Sequence, residues 1–288
     1  MSENELGGKL PRSLGNLCNL REIRLSSNKW SQEIPEILES LSWCLSDRLE
    51  ILELSNSQLH GHLTDELGVF KNLVTLSFDY NSISGPITVS FGNLSSLTHL
   101  DFSNNQFNGT LPQNFGQLKN LVRLSFRNNS ISGPIPVSFG NLSSLTYLDF
   151  SNNQFNGTLP QNFGQLSKLE TLYIESNMLE GVVSEVHFSN LTSLIQLYAS
   201  GNKLTLEVSY NWNPPFQLVA LSLRSWNLGP NFPRWLCSQR HLQNLDISNT
   251  RISGVVPPSF WNLSSQFSFL NLSQNLLYGE IVNSLMNL

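Results

Sequence analysis

Apolar positions along this chain recur in two nested rhythms. Within short segments they alternate: in Leu121-Val122-Arg123-Leu124-Ser125-Phe126-Arg127, Leu124 and Phe126 fall on one side and Arg123, Ser125 and Arg127 on the other. That is the period-two pattern of a strand with one buried face, the second set pointing to solvent. Over longer stretches the whole pattern returns every 24 residues with small exceptions, opening at Leu20, Leu49, Leu73, Leu97, Leu121, Leu145, Leu169, Leu194, Leu218, Leu242 and Phe267. Eleven such openings predict eleven stacked coils, each burying its apolar side against its neighbours, with the strands aligned in one parallel sheet.

Every position of the shared phrase L-x-x-L-x-L-x-x-N-x-L-x-G-x-I-P has a physical task. The Asn that follows the strand, at positions 28, 81, 105, 129, 153, 177, 202 and 275, both donates and accepts, so it can satisfy backbone groups where the chain turns out of the sheet. Stacking makes these side chains a ladder. Ser57, Trp226 and Thr250 interrupt it, and the coils carrying them are expected to be locally irregular. Glycines at 85, 109, 133, 157, 181, 254 and 279 mark a bend that calls for positive φ. The Ile-Pro or Leu-Pro that follows predicts an extended flank. Phe91, Phe115, Phe139 and Phe163, each followed by Gly, form a 24-residue series that predicts an aromatic spine on the outer side of the coils.

Residues 83–118 and 131–166 differ only at Thr88 versus Pro136 and His99 versus Tyr147, a duplication of two units. The second difference falls on the solvent side of a strand. Asp101 and Asp149 are equivalent positions in these copies, roughly 10 Å apart at the spacing of a sheet. On an open surface that excludes no water they make a poor catalytic pair, and no enzyme activity, phosphate-binding glycine loop or kinase signature is expected. Only 13% of residues are charged and the net charge is −5, with sixteen Lys and Arg scattered along the chain, so no nucleic-acid footprint is present. The histidines, at 60, 62, 99, 187 and 241, fall in separate units apart from the first pair, and neither a metal site nor a cofactor is expected. Cys18 and Cys44 flank a unit five residues longer than the norm and could bridge across it, the alternative being two buried thiols; Cys237 is expected as a small buried hydrophobe. Eight Asn-X-Ser/Thr sequons, at Asn93, Asn108, Asn128, Asn141, Asn156, Asn190, Asn262 and Asn271, favour a secreted glycoprotein.

A period in the twenties with this phrase is the signature of leucine-rich repeats, and the predicted fold class is an α/β repeat solenoid, a plant-type leucine-rich-repeat horseshoe with a parallel concave β-sheet. Gly133-Pro134-Ile135-Pro136 and Gly109-Thr110-Leu111-Pro112 carry the plant-specific element. The segments LGNLCNLREIRLSSNKW, EIPEILESLSWCLSDRLEILELSNSQLHGHLTDELG and NWNPPFQLVALSLRSWNLGPNFPRWL resemble the plant receptor-like proteins of the ethylene-inducing-xylanase receptor group. The resemblance implies the ligand-recognition part of a cell-surface receptor in plant defence, on the extracellular face of the plasma membrane. It implies two partners: an extracellular elicitor (protein, peptide or oligosaccharide) and a receptor kinase that signals on its behalf.

Residues 1–288 are expected as one leucine-rich-repeat domain of about eleven units. The chain opens within a unit at Asn4-x-Leu6-x-Gly8-x-Leu10-Pro11 and closes within another after Ile281, and no signal peptide, cysteine-paired cap, transmembrane helix or kinase is expected within residues 1–288. Ligand contacts are expected on the inner strand face, along an arc of His99, Arg123, Arg127, Tyr147, Tyr173 and Tyr198 with Tyr80 and Arg224 at its margins. Tyr and Arg are rich in binding hot spots, although ordinary solvated surface would look the same in sequence. A glycan on Asn128 would shield part of this arc. The competing functions are a secreted inhibitor of microbial cell-wall hydrolases, normally built between two caps, and a cytosolic interaction scaffold, which unglycosylated sequons would favour.

Overall fold

Each of the eleven alternating segments becomes a three-residue strand that starts two residues after its opening apolar side chain, from Glu22–Arg24 to Phe269–Asn271. The computed structural model describes residues 2–263 and 266–280, so Ile281 lies outside the described residues. The chain forms two units, Met1–Phe155 and Asn156–Leu288.

In the first unit the strands Glu22–Arg24, Ile51–Glu53, Thr75–Ser77, His99–Asp101, Arg123–Ser125 and Tyr147–Asp149 pair in that order, all parallel. Register is strict: Leu76, Leu100, Leu124 and Leu148 align and are each at most 2% exposed. Because side chains alternate, the same register aligns the outward residues His99, Arg123 and Tyr147, and likewise Asp101, Ser125 and Asp149. A second parallel ladder runs along the flank through His60–His62, Ser82–Pro86, Gln106–Gly109 and Ser130–Pro134. Opposite the sheet, short 3-10 helices such as Val89–Asn93, Gln113–Gln117 and Val137–Asn141 close the coils. They carry the predicted aromatic spine: Phe91, Phe115 and Phe139 are fully buried and stacked, with centroids 5.9 and 5.6 Å apart. The glycine after each Phe admits the next helix, since a Cβ on Gly116 would lie 2.5 Å from the Ser138 carbonyl oxygen.

The second unit repeats the plan. Thr171–Tyr173, Gln196–Tyr198, Ala220–Ser222, Asn244–Asp246 and Phe269–Asn271 pair in parallel, and Met178–Ser184 pairs with Lys203–Glu207 on the flank.

The asparagine ladder forms as expected. Asn105 donates Nδ2 to the Phe78 and Phe102 carbonyls (2.9 and 3.2 Å) and accepts from the Ile83 N–H (3.0 Å), so one amide ties two coils. Two of the three coils expected to be irregular are not. Ser57 donates to the Ser55 carbonyl, while the Ser57 and Leu59 N–H groups share Asn81 Oδ1 of the next coil. Thr250 donates to the Ile247 carbonyl, and its N–H goes to Asn275 Oδ1. Hydroxyls replace half the amide's work and the neighbouring Asn supplies the rest. Only the Trp226 coil loses regularity. Its indole N–H reaches the Ala199 carbonyl at 2.8 Å, but an indole accepts nothing, and the flank there keeps an isolated bridge, Thr205 to Asn227, in place of a strand.

The long unit accommodates its extra residues as the α-helix Ile34–Ser42, started by Pro35 and packed through Ile34, Ile37, Leu38 and Leu41. Cys18 and Cys44 are joined by a disulfide across it, with Cα atoms 5.2 Å apart.

Candidate ligand-binding face

In the first unit residues of five neighbouring strands and the turns after them enclose a groove of about 410 Å³. It holds five of the eight residues expected to bind ligand: Tyr80, His99, Arg123, Arg127 and Tyr147. The Arg123 guanidinium lies 4.1 Å from the Tyr147 ring centre, a cation–π pair across adjacent strands. Tyr147 donates its hydroxyl to Asp149 Oδ2 at 3.2 Å, and the backbone N–H and hydroxyl of Ser151 bind Asp149 Oδ1 at 2.9 and 2.6 Å. Arg127 is exposed and makes no ion pair among the described residues. His99 is exposed beside the Thr98 hydroxyl at 2.8 Å.

The floor of this groove differs from the sequence expectation of an open, wet surface. Asp149 is 2% exposed, Ser125 is 8% and Ser151 is 1%. Ser125 points outward, as the alternation requires, yet Asp101 and Asp149 flank it in register and exclude solvent. The duplicated units expose the cause. Where the second copy has Tyr147 over Asp149, the first has His99, and Asp101 is only half-buried. Burial pushes the Asp101 carboxyl above its ordinary 3.8, opposed by hydrogen bonds from Ser103 and reinforced by the charges of Asp79 and Asp149. Asp79 accepts from the Ser55 and Ser77 hydroxyls. The exposed groups of the rim are Tyr80, His99, Arg123 and Arg127, while these carboxylates close the strand ends. The signal for them was present in the repeated Asp-x-Ser at 101–103, 149–151 and 246–248, each of which places a Ser N–H 2.9 Å from the Asp carboxylate.

The remaining three expected residues lie in the second unit. Tyr173 and Tyr198 stack at 4.9 Å in register on adjacent strands, with the Tyr173 hydroxyl donating to Gln196 Oε1 at 3.2 Å; Arg224 is exposed. Seven of the sequon asparagines are exposed and Asn271 is half-buried; the sequon of Asn262 runs into Ser264, outside the described residues. Cys237 is half-buried, short of the buried position expected, and its sulfur accepts from the Ser259 hydroxyl at 3.4 Å. Among the described residues no cluster of three His, Cys, Asp or Glu is placed to hold a metal, and no helix is long and apolar enough to cross a membrane.

Stacked coils with one strand each, most with an asparagine rung and several with an aromatic step, define a repeat scaffold with an aromatic and cationic rim on the strand side of its first unit. The chain belongs to the leucine-rich repeat family: the leucine-rich repeat region family matches residues 46–254, and the leucine rich repeat family matches 19–41. It is similar to plant receptor-like proteins, being 44% identical over 108 residues to receptor-like protein EIX1 of Solanum lycopersicum, which is 38% of this chain and 10% of that protein. Receptor-like protein EIX2 of the same plant is 45% identical over 102 residues, 35% of this chain and 10% of that protein. The alignments thus span about a tenth of the length of these relatives. Among solved structures, the plant peptide hormone receptor RGFR1 in complex with RGF2 superimposes with a TM-score of 0.80 at 26% identity, covering 97% of this chain and 47% of that one. The Arabidopsis receptor kinase HAESA, in complex with the peptide hormone IDA and the co-receptor SERK1, gives 0.70 at 29% identity, covering 96% and 53%.

Proposed function

We propose that this chain is a ligand-recognition section of a plant cell-surface receptor-like protein in defence signalling, held on the extracellular face of the plasma membrane in its full-length form. The elicitor, a protein, peptide or oligosaccharide, binds on the strand face of the first unit, and a partner receptor kinase relays the signal. The observation that carries this reading is the groove rimmed by Arg123, Arg127, Tyr147 and Tyr80. Two guanidinium groups and two tyrosines bring large desolvatable area together with polar handles, the composition of a binding hot spot. Support comes from the similar solved structures, whose titles describe receptors in complex with peptide hormones and, in one case, a co-receptor.

Surface plasmon resonance with a purified fungal ethylene-inducing xylanase, the elicitor implied by the resemblance, tests it. Saturable binding is expected, weakened by about tenfold or more in the double variant Arg123→Ala with Tyr147→Ala. Lys119→Ala, on the helical side, is expected to bind normally. No binding, or binding that the double variant leaves intact, would remove this face from the proposal.

A further inference from the structure

Ion pairs among the described residues join only groups between Glu5 and Glu53, in the first unit. The second unit holds a run of cations outside that pairing. Arg234 opens the short 3-10 helix Arg234–Ser238, and Arg240 and His241 follow its end. All three are exposed. With Asn213 and Gln217 they line a shallow depression of about 680 Å³, whose lining contains no acidic residue among the described residues. In a chain with so few charges, cations gathered without a carboxylate leave a local positive field that attracts anions.

Arg234 also lines a larger groove on the flank, of about 780 Å³, and so joins the two. Its guanidinium lies 4.5 Å from the centre of the Tyr210 ring, and Tyr210 is 67% exposed. Stacking occupies the flat face of a guanidinium and leaves its N–H edge, so one arginine can hold a ring in place and still bind a carboxylate. One face of Tyr210 carries the cation; the opposite face meets no other ring among the described residues. The acidic residue of the flank groove is Glu207, on the strand Lys203–Glu207. An anionic ligand is therefore directed away from Glu207, toward Arg240 and His241.

The layout of these groups selects the kind of anion. A 3-10 helix of five residues rises about 10 Å, so Arg234 and Arg240 at its two ends are spread along a line and do not converge on one sulfate or phosphate. A chain carrying several negative charges fits that line. Its other chemistry is set by the neutral groups. Gln217 Oε1 accepts from the Arg240 backbone N–H at 2.9 Å, which fixes the amide and leaves its NH2 to donate, and Asn213 beside it is exposed. Amides pair well with hydroxyls, which both donate and accept. The open face of Tyr210 offers a flat apolar platform to the C–H face of a sugar ring. The net charge of −5 speaks against nucleic acid as the polyanion. We propose that Tyr210, Arg234, Arg240 and His241 form a second binding surface, for a uronic-acid oligosaccharide with one sugar ring on Tyr210 and its carboxylates along the cations.

Isothermal titration calorimetry of the whole chain with hexagalacturonate tests it. The comparison probes are the fully methyl-esterified hexamer, which keeps the sugars and loses the charge, and hexaglutamate, which keeps the charge and loses the sugars. Saturable binding of hexagalacturonate is expected, with both comparison probes at least about tenfold weaker. The double variant Arg234→Gln with Arg240→Gln should weaken hexagalacturonate by about tenfold, and Arg240→Gln alone, which leaves the Tyr210 stack in place, by about threefold. Tyr210→Ala should weaken it by about threefold or more, through the loss of the platform. All these positions are exposed, and an unchanged urea midpoint reports that each variant is folded. The strand-face variant Arg123→Ala with Tyr147→Ala is expected to bind hexagalacturonate as the parent does, so loss of elicitor binding and loss of this site are separate results. No binding of hexagalacturonate, equal binding of hexaglutamate or of the methyl ester, binding untouched by the arginine or Tyr210 variants, or binding lost in the strand-face variant overturns the proposal.

Discussion

Tyr80 occupies a backbone conformation that tyrosine seldom adopts. Its φ is +55°, the left-handed region. The equivalent residue, one before the ladder position, is Asn104, Asn128 or Asn152 in the following coils, with φ of +54°, +57° and +54°. Asparagine tolerates this region because its short side chain bonds locally, whereas a bulky residue there is strained. The repeat imposes this conformation in each of these coils, and a tyrosine kept there at an exposed groove edge motivates a test of its role. We therefore expect Tyr80→Asn to raise stability by about 1 kcal/mol or less in urea unfolding, while weakening the binding of ligand to the strand face. A variant that gained nothing in stability would show the strain to be absorbed locally; one that bound as well as the parent would exclude Tyr80 from the site. At this scale the sequence is informative about which side of a strand a residue takes and poor at what covers it. The alternation places Ser125 and Asp149 outward, as they are, but their burial depends on lateral neighbours 24 residues away in sequence. Comparing the two duplicated units, which differ there only as His99 and Tyr147, would have been the available clue.

The element that sets the coil's geometry is the asparagine rung. Asn129 donates to the Phe102, Phe126 and Arg127 carbonyls at 3.0, 3.0 and 3.2 Å and accepts from the Phe107 N–H at 2.9 Å. With about 1 kcal/mol for each bond and a further penalty for backbone groups left unpaired, Asn129→Ala is expected to cost about 3 kcal/mol. Gln106→Ala, at an exposed flank position, is expected to change stability by less than about 0.5 kcal/mol. Urea midpoints compare the two, and equal midpoints would mean that the rung is dispensable in its coil. Strands, rungs, glycine bends and the phenylalanine spine were legible because each is a local requirement restated every 24 residues. The regularity of the Ser57 and Thr250 coils was not, since Asn81 and Asn275 of the following coils complete their hydrogen bonds. Trp226 did announce its irregular coil, through the absence of any acceptor on an indole.

Across the molecule the sequons are distributed by face. Asn93, Asn141 and Asn190 sit at or beside the ends of the 3-10 helices Val89–Asn93, Val137–Asn141 and Glu185–Phe188, while Asn108 and Asn156 lie on flank strands. All five are exposed. Glycans at these five positions would solubilise the helical and flank surfaces of a chain with unusually few charges, and would leave the strand side clear. Asn128 and Asn271 lie on that side. Asn128 donates to Asn104 Oδ1 at 3.0 Å directly after Arg127, and Asn271 ends a strand with its Oδ1 accepting from the Ser273 N–H at 3.1 Å, the work of an Asp in other coils. If the strand face binds ligand in a secreted protein, the five helical and flank sites are expected to be occupied and these two empty. The measurement is site-by-site mass spectrometry of the protein from plant tissue, with enzymatic removal of N-glycans in heavy-oxygen water to label each occupied Asn. Occupancy of the five with Asn128 and Asn271 bare, whatever the state of Asn262, ties both the extracellular location and the binding face to one pattern. A glycan on Asn128 would cover the groove beside Arg127 and move recognition to another surface, and no labelled site at all would leave an intracellular scaffold as the reading to pursue.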